Sequence, residues 1–306
     1  MTQREHAGCG AIGSRATRAG GPSRAVRAAG RLLLALLPLA PALAEPAAAP
    51  PAARAPASEG GQAAATPESI LGEAFANRYD VDTIFDLELV TDGPRGHSQR
   101  RLHTVTKIVD GRSYSIGRLT EPATVRGMTV MIIETDDGER DTFVYLPAIK
   151  RGRRISGAQR SDSFLGTELN FEDFERLRAD DYALERLPDE EVEGERCAII
   201  RGTPREPAAY ALVDFAVAAD GAILEYRYRK AGGPEPYRMI EAPREHMVER
   251  GGHLLPTRFT VTNVIRRIVT EAVIHDMAVE PEIDERIFSM RTLEQERPLP
   301  KIGSDG

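Results

Sequence analysis

The chain has no tryptophan, only two cysteines among 306 residues, and 6% aromatics. Cys9 lies in an N-terminal stretch with the marks of a removable leader, so Cys197 stands alone and no internal disulfide can form. Cys197 sits in the strand-like run Arg196 to Ile200, where a buried structural thiol is expected rather than a reactive one. Histidine is also scarce: His6 lies in the leader, and beyond it His97, His103, His246, His253 and His275 show no H-x-x-x-H or H-E-x-x-H spacing, which argues against a metal centre. There is no G-x-S-x-G motif, and Ser156 and Ser163 have no histidine near them in sequence, whereas nucleophilic catalysis needs a positioned base. Ser–His pairs can form across a fold, so the reading rests on motifs: no enzyme, no catalytic residue, no cofactor and no metal. No repeat recurs at a solenoid period.

A membrane-spanning run is missing too. The most apolar stretch, Leu32 to Ala44, is interrupted by Pro38 and Pro41 and falls short of the roughly 20 apolar residues a transmembrane helix needs. Arg15, Arg18, Arg24, Arg27 and Arg31 precede it, and Ala42-Leu43-Ala44 closes it. A basic region, a short apolar region and a small-residue cleavage site predict that residues 1–44 are a cleaved export signal. The long basic region leaves open a true start downstream of Met1. No twin-arginine pair precedes the apolar run and no cysteine follows the cleavage site, so export of a soluble, non-lipidated protein without stable membrane insertion is expected. Residues 45–66 are rich in Ala and Pro, with too little large apolar surface to offset ordering entropy, and predict a disordered leader. Residues 67–300 then form one folded domain, with 301–306 as a tail.

The whole chain carries a formal charge of −7; without residues 1–44 it has 34 Lys+Arg against 46 Asp+Glu, a balance of −12. Nucleic acid and anionic membrane surfaces both demand a cationic footprint, so neither is the expected general partner. One segment departs from this balance: five cations fall in the eleven residues from Lys150 to Arg160.

What is present is mostly strand. Thr66-Pro67-Glu68 is a helix start, with a hydroxyl cap, Pro at the first helical position and an acid in the first turn. Ile70, Leu71, Ala74 and Phe75 follow at helical spacing, predicting one amphipathic helix to about Tyr79. The period then changes to two: Phe85, Leu87 and Leu89 alternate with Asp86 and Glu88. Asp-Gly and Gly-Gly turns at 92–93, 110–111, 137–138, 220–221, 232–233 and 251–252 separate further strand-like runs, among them 102–109, 128–135, 142–146, 210–217, 255–261 and 268–277. The fold class expected is mainly β: one large curved antiparallel sheet, an incomplete barrel of about 10–11 strands, capped by short helices and a long lid loop. Such a sheet encloses more volume than side chains fill, unless the helix at 67–79 and the segment 146–178 plug it. Phe85, Leu87, Leu89, Met128, Val130, Ile132, Phe215, Tyr226 and Tyr228 are the candidate cavity wall, with Thr104, Thr106, Thr260 and Thr262 as its polar points. A guest for such a wall is apolar.

The segment Tyr145 to Phe174, YLPAIKRGRRISGAQRSDSFLGTELNFEDF, is unlike its surroundings, and long irregular connections are usually lids, binding loops or linkers. Its order of Arg153-Arg154-Ile155-Ser156, Ser163-Phe164-Leu165-Gly166-Thr167-Glu168, Phe171-Glu172-Asp173-Phe174 and Asp180-Asp181-Tyr182 resembles the "YLP…RRI…SFxGSDFxYEDL…DDY" block of the LolA-like family of outer membrane lipoprotein-sorting proteins. The likeness is colinear from about Glu68 to Leu293, through Tyr237-Arg238 and Ile283-Asp284-Glu285-Arg286-Ile287-Phe288. Two departures stand out: Glu168-Leu169-Asn170 replaces an acid followed by an aromatic, and the tryptophans that line the family's hollow are missing.

The resemblance implies a periplasmic carrier: an incomplete barrel that takes a lipid or the acyl chains of a lipoprotein through an aqueous compartment without chemistry. The alternative is a non-carrying envelope assembly or adaptor protein, its hollow filled by its own side chains. In the carrier reading Ile155, Phe164, Leu165 and Gly166 form a movable lid, with Gly152, Gly157 and Gly166 as hinges. Arg151, Arg153, Arg154 and Arg160 are open to three readings: capture of an anionic headgroup, internal pairing with Glu168, Glu172, Asp173 or Asp180, or docking to an acidic partner such as an inner-membrane transporter. Internal pairing is the expectation for Arg153 and Arg154, headgroup contact for Arg151 and Arg160. A monomer with no nucleic-acid partner is expected.

Overall fold

The computed structural model describes residues 65–303. The export signal read at residues 1–44, nearly all of the leader at 45–66 and the last residues of the tail lie outside that range, so those expectations stand as they were. Helix α1 spans Pro67–Tyr79, and the Thr66 side chain accepts from the Ser69 amide at its start, as the sequence signals. Its Leu71, Ala74 and Phe75 are buried.

Fifteen strands follow: β1 Thr83–Gly93, β2 Gly96–Val109, β3 Arg112–Glu121, β4 Thr129–Glu134, β5 Arg140–Leu146, β6 Arg151–Arg154, β7 Tyr182–Val192, β8 Glu195–Pro204, β9 Leu212–Val217, β10 Ile223–Arg229, β11 Arg238–Glu241, β12 Met247–Arg250, β13 His253–Pro256, β14 Arg258–Asn263 and β15 Ile268–Val279. A short helix α2, Met290–Glu294, comes last. Thirteen strands make one antiparallel sheet in the order β6-β5-β4-β3-β2-β1-β15-β14-β11-β10-β9-β8-β7, while β12 and β13 form a separate hairpin. The mainly-β class with a large antiparallel sheet is what the alternation predicts. The sheet does not close, because its edges β6 and β7 are not paired and are joined instead by residues 155–181.

The sheet has more strands than the ten or eleven expected. The segment around Arg153 supplies a short edge strand instead of staying irregular, and Tyr182–Val192 forms β7 although charge hides its alternation. Residues 255–261, which read as one strand, divide at Thr257 between the hairpin and the main sheet. Phe171–Phe174 forms a single 3-10 turn.

Both faces of the sheet are covered. On the concave face Leu71 and Phe75 of α1 join Leu87, Leu89, Leu102, Phe164, Phe215, Tyr226 and Val261 in the main core. On the convex face Ile283, Phe288 and Leu293 of the C-terminal segment lie over Ile84, Val105, Ile116 and Met131. The β12–β13 hairpin places Met247 and Leu254 beside Cys197, Ile199 and Leu224. Cys197 is fully buried, and burial pushes its thiol above the usual range.

Candidate functional site

The strand period of two sends Thr83, Phe85 and Leu87 of β1 and Thr104 and Thr106 of β2 to the concave face, under α1 and the 155–181 segment. The filling is incomplete. An apolar compartment of about 190 Å³ is lined by Val81, Phe85, Leu87, Leu255, Ile274 and Met277, with hydroxyls from Thr104, Thr106, Ser113 and Ser115. A second compartment of about 310 Å³ has a tyrosine wall of Tyr182, Tyr210, Tyr226 and Tyr228, and reaches the surface at Asp137, Glu139 and Glu206. Both share Arg78, Tyr79, Leu169, Asp173, Glu175 and Phe259, so they are two parts of one hollow divided by a waist.

The tyrosines are tied in pairs. The hydroxyls of Tyr79 and Tyr226 are 3.0 Å apart, as are those of Tyr182 and Tyr210. Burial pushes the phenols of Tyr182, Tyr210, Tyr226 and Tyr228 well above their ordinary range, so they stay neutral donors and acceptors. Arg78 enters the waist from the last turn of α1, its guanidinium 5.3 Å from the Tyr79 ring centre and 5.6 Å from that of Tyr226. It makes no ion pair among the described residues, and its buried Nη1 has no hydrogen-bond partner among the protein groups.

The 155–181 segment is fastened at its centre. Arg238 of β11, 3% exposed, donates to the Glu168 carbonyl at 3.2 Å and to Asp173 Oδ2 at 2.5 Å. The Glu168 amide donates to Thr270 Oγ1 at 2.9 Å, and Asn263 donates to the Glu168 carboxylate. Phe164 packs edge-on against Phe171 and Phe174 at 5.7 and 4.9 Å. Leu165 and Gly166 form the tip of a tight turn at φ of 52° and 82°, closed by the Thr167 amide on the Phe164 carbonyl at 3.0 Å. Around the mouth Arg140 pairs with Asp181 at 2.7 Å, Arg178 with Glu134 at 2.9 Å, and the Arg160 Nε donates to Glu175 at 2.8 Å. Burial raises the Glu175 carboxyl against the pull of Arg160, and it raises Glu172 with help from the neighbouring Asp173.

The candidate wall residues fall in three places. Phe85 and Leu87 line the apolar compartment, and Tyr226 and Tyr228 the tyrosine wall. Val130 and Ile132 meet Phe164 at a recess of about 20 Å³, while Leu89, Met128 and Phe215 lie within the packed core. Of the lid residues, Ile155 and Phe164 are buried in that core, whereas Leu165 and Gly166 border an outer cleft beside Arg95 and Arg100. Gly152 is a packing position rather than an open hinge: a Cβ there would stand 2.9 Å from Met290 of α2. Arg151, Arg153 and Arg154 are exposed on edge strand β6, and Arg154 pairs with Asp141 instead of the acids of the block. Arg160, expected at a headgroup, lies at the mouth of the hollow held by Glu175.

Arg78, Tyr79, Tyr182, Tyr210 and Phe259 line the hollow without having been named from sequence as wall residues. For Arg78 the signal was there: it follows Leu71, Ala74 and Phe75 on the same helical stripe, which puts a cation on the buried face. No group of His, Cys, Asp and Glu among the described residues could hold a metal ion. No helix among them is long and apolar enough to cross a membrane.

Three solved structures share this architecture at 21% identity, each over 74% of this chain. A domain from Vibrio parahaemolyticus named for outer membrane lipoprotein sorting is covered over 97% of its length with a TM-score of 0.69. A DUF1329 family protein from Desulfovibrio piger gives the same coverage and score. A LolA superfamily protein from Nitrosomonas europaea is covered over 98% with a TM-score of 0.59. No curated protein sequence matches the chain. A family model described as an uncharacterized protein matches residues 111–295, so the chain belongs to that family, and its sheet has the fold seen in the LolA superfamily structure.

Proposed function

We propose that the protein is a periplasmic carrier that holds a lipid or acylated molecule in the hollow for transfer across the envelope, without chemistry. The carrying observation is the apolar compartment between Phe85, Leu87, Leu255, Ile274 and Met277, continuous at the Arg78–Tyr79 waist with a part that reaches solvent. Acyl chains in water cost about 0.8 kcal/mol per methylene, so a transferred lipid needs such a wall. The larger compartment is near the lower end of the range for small-molecule pockets, about 300–1,000 Å³. A guest with several chains therefore requires the 155–181 segment to move, which is the role assigned to Phe164 and its turn. Arg78 supplies the polar end: a guanidinium at the waist with no carboxylate partner suits a carboxylate or phosphate head, the acyl chain lying in the apolar compartment. Arg151 and Arg153, exposed on β6, stand as contacts to a headgroup or an acidic partner outside the hollow.

Native mass spectrometry of protein purified from a bacterial envelope, followed by lipid extraction, tests this. Stoichiometric lipid adducts are expected. Protein that stays free of lipid when made in and extracted from membranes would leave an adaptor with a partly filled interior.

A further inference from the structure

We infer that one rim of the sheet docks the protein reversibly on an anionic phospholipid bilayer. Because the strands are antiparallel, the pairings Gly93 with Gly96, Asn263 with Ile268, Asp92 with Val269, Arg238 with Asn263 and Leu146 with Arg151 bring the β1–β2, β5–β6, β10–β11 and β14–β15 turns to the same end. Exposed large apolar side chains gather there. In the four-residue turn between β14 and β15, Ile265 is 71% and Val264 51% exposed, and Ile149 of the β5–β6 turn is 62% exposed. Val269, beside the first of these turns, is exposed as well.

Cations flank each tip. Arg266 and Arg267 follow Ile265, Lys150 and Arg151 follow Ile149, and Arg95 stands in the β1–β2 turn. The β3–β4 connection, at the same end, adds exposed Arg126. The opposite end has the contrary sign: its turns carry Asp110, Asp136, Asp137, Glu193 and Asp220. An excess of acid over the whole chain thus hides a polarised molecule, and the whole-chain balance that argued against an anionic surface does not describe this rim.

Separate apolar tips interleaved with exposed arginines fit a surface that deforms around each tip better than a rigid groove. They match the interfacial pattern in which apolar groups enter the headgroup boundary and cations meet lipid phosphates. The tip is also free of structural duty. The turn is held by the Val264 amide on the Tyr237 carbonyl at 3.0 Å and by the Arg266 amide on Asn263 Oδ1 at 2.9 Å, and neither bond uses the side chains of Val264, Ile265 or Arg267. Arg266 is different, because it reaches the Glu168 carboxylate at 3.6 Å. The inference does not depend on what the hollow carries.

The test is co-sedimentation of the full-length chain with phosphatidylcholine vesicles, with and without phosphatidylglycerol, at low and high salt. It compares wild type with Ile265→Asp and with Arg95→Glu/Arg267→Glu. Residues 1–64 are common to all three, so differences between them report the rim. Stronger binding to the phosphatidylglycerol vesicles that falls with salt is expected, weakened about tenfold or more in each variant with an unchanged melting temperature. Variants that bind as wild type does, or wild-type binding indifferent to lipid charge, would overturn the assignment.

Discussion

The Arg238 guanidinium stands 2.5 Å from Asp173 Oδ2 and 4.8 Å from the Tyr228 ring centre, which ties the 155–181 connection between the two edges of the sheet to its concave wall. Both partners are nearly sealed from water. Breaking a buried pair by removing one member leaves the other charge uncompensated, so Arg238→Met should destabilise by about 3–5 kcal/mol in urea unfolding. Arg238→Met combined with Asp173→Leu should recover much of that loss. If Arg238→Met were neutral, the segment would be held elsewhere.

Glu172 supplies a pH prediction. Burial first, and the adjacent Asp173 second, raise its carboxyl above the ordinary value. A carboxyl raised on folding contributes stability below its unfolded pKa and loses it as pH rises through the folded one. Glu172→Gln should therefore raise the melting midpoint at neutral pH, and its advantage should fade as the buffer is acidified into the usual carboxylate range. Melting curves of both proteins across that interval check the sign. Glu175 does not serve the same test, because Arg160 and Arg140 depend on its charge.

Phe164 and Leu165 are neighbours with different expected outcomes. Phe164 is 1% exposed among Phe171 and Phe174, so Phe164→Ala should cost about 3–5 kcal/mol through the cavity it leaves. Leu165 sits at a turn tip, and Leu165→Asp should fold nearly normally. Lipid content of Leu165→Asp, compared with wild type by extraction, then reports on the lid without an unfolding artefact; unchanged content would remove Leu165 from the lid.

Arg78→Met keeps the length of the side chain and removes the cation at the waist. A fluorescent fatty acid should bind wild type more tightly than its methyl ester, by about tenfold for one charge-assisted contact. That preference should disappear in Arg78→Met while ester binding persists. Equal binding of acid and ester by wild type would show that Arg78 is satisfied by Tyr79 and Tyr226 alone.

Cys197 should resist thiol reagents in the folded protein, since its thiol is fully buried and raised by that burial. Mass-resolved labelling at residue 197 should rise only with denaturant, along the unfolding transition. Prompt labelling under native conditions would mean that the β12–β13 hairpin opens.

Some of this was legible along the chain because its causes are local. Thr66 and Pro67 start α1 through cap and ring geometry, and the alternation of Phe85, Leu87 and Leu89 chooses the concave face of β1. Asp110-Gly111 and Gly251-Gly252 adopt the positive φ their turns require. The ordered block from Arg153 to Tyr182 carried the family resemblance because its turn and aromatic positions are a contiguous pattern.

Other features depend on which distant strands become neighbours. β7 reads as a charged stretch until Val192 and Tyr182 find β8 and the core, and Arg160 reads as a free cation until the chain folds Glu175 against it. Composition and period determined an antiparallel sheet, a helix to lie on it and an acidic chain with one basic stretch, because propensity, alternation and charge are properties of the segment itself. Only the tertiary structure decided that the sheet stays open at β6 and β7, that Arg78 stands at the waist of a hollow, and that cations far apart in sequence share one rim, because strand register and packing set those distances.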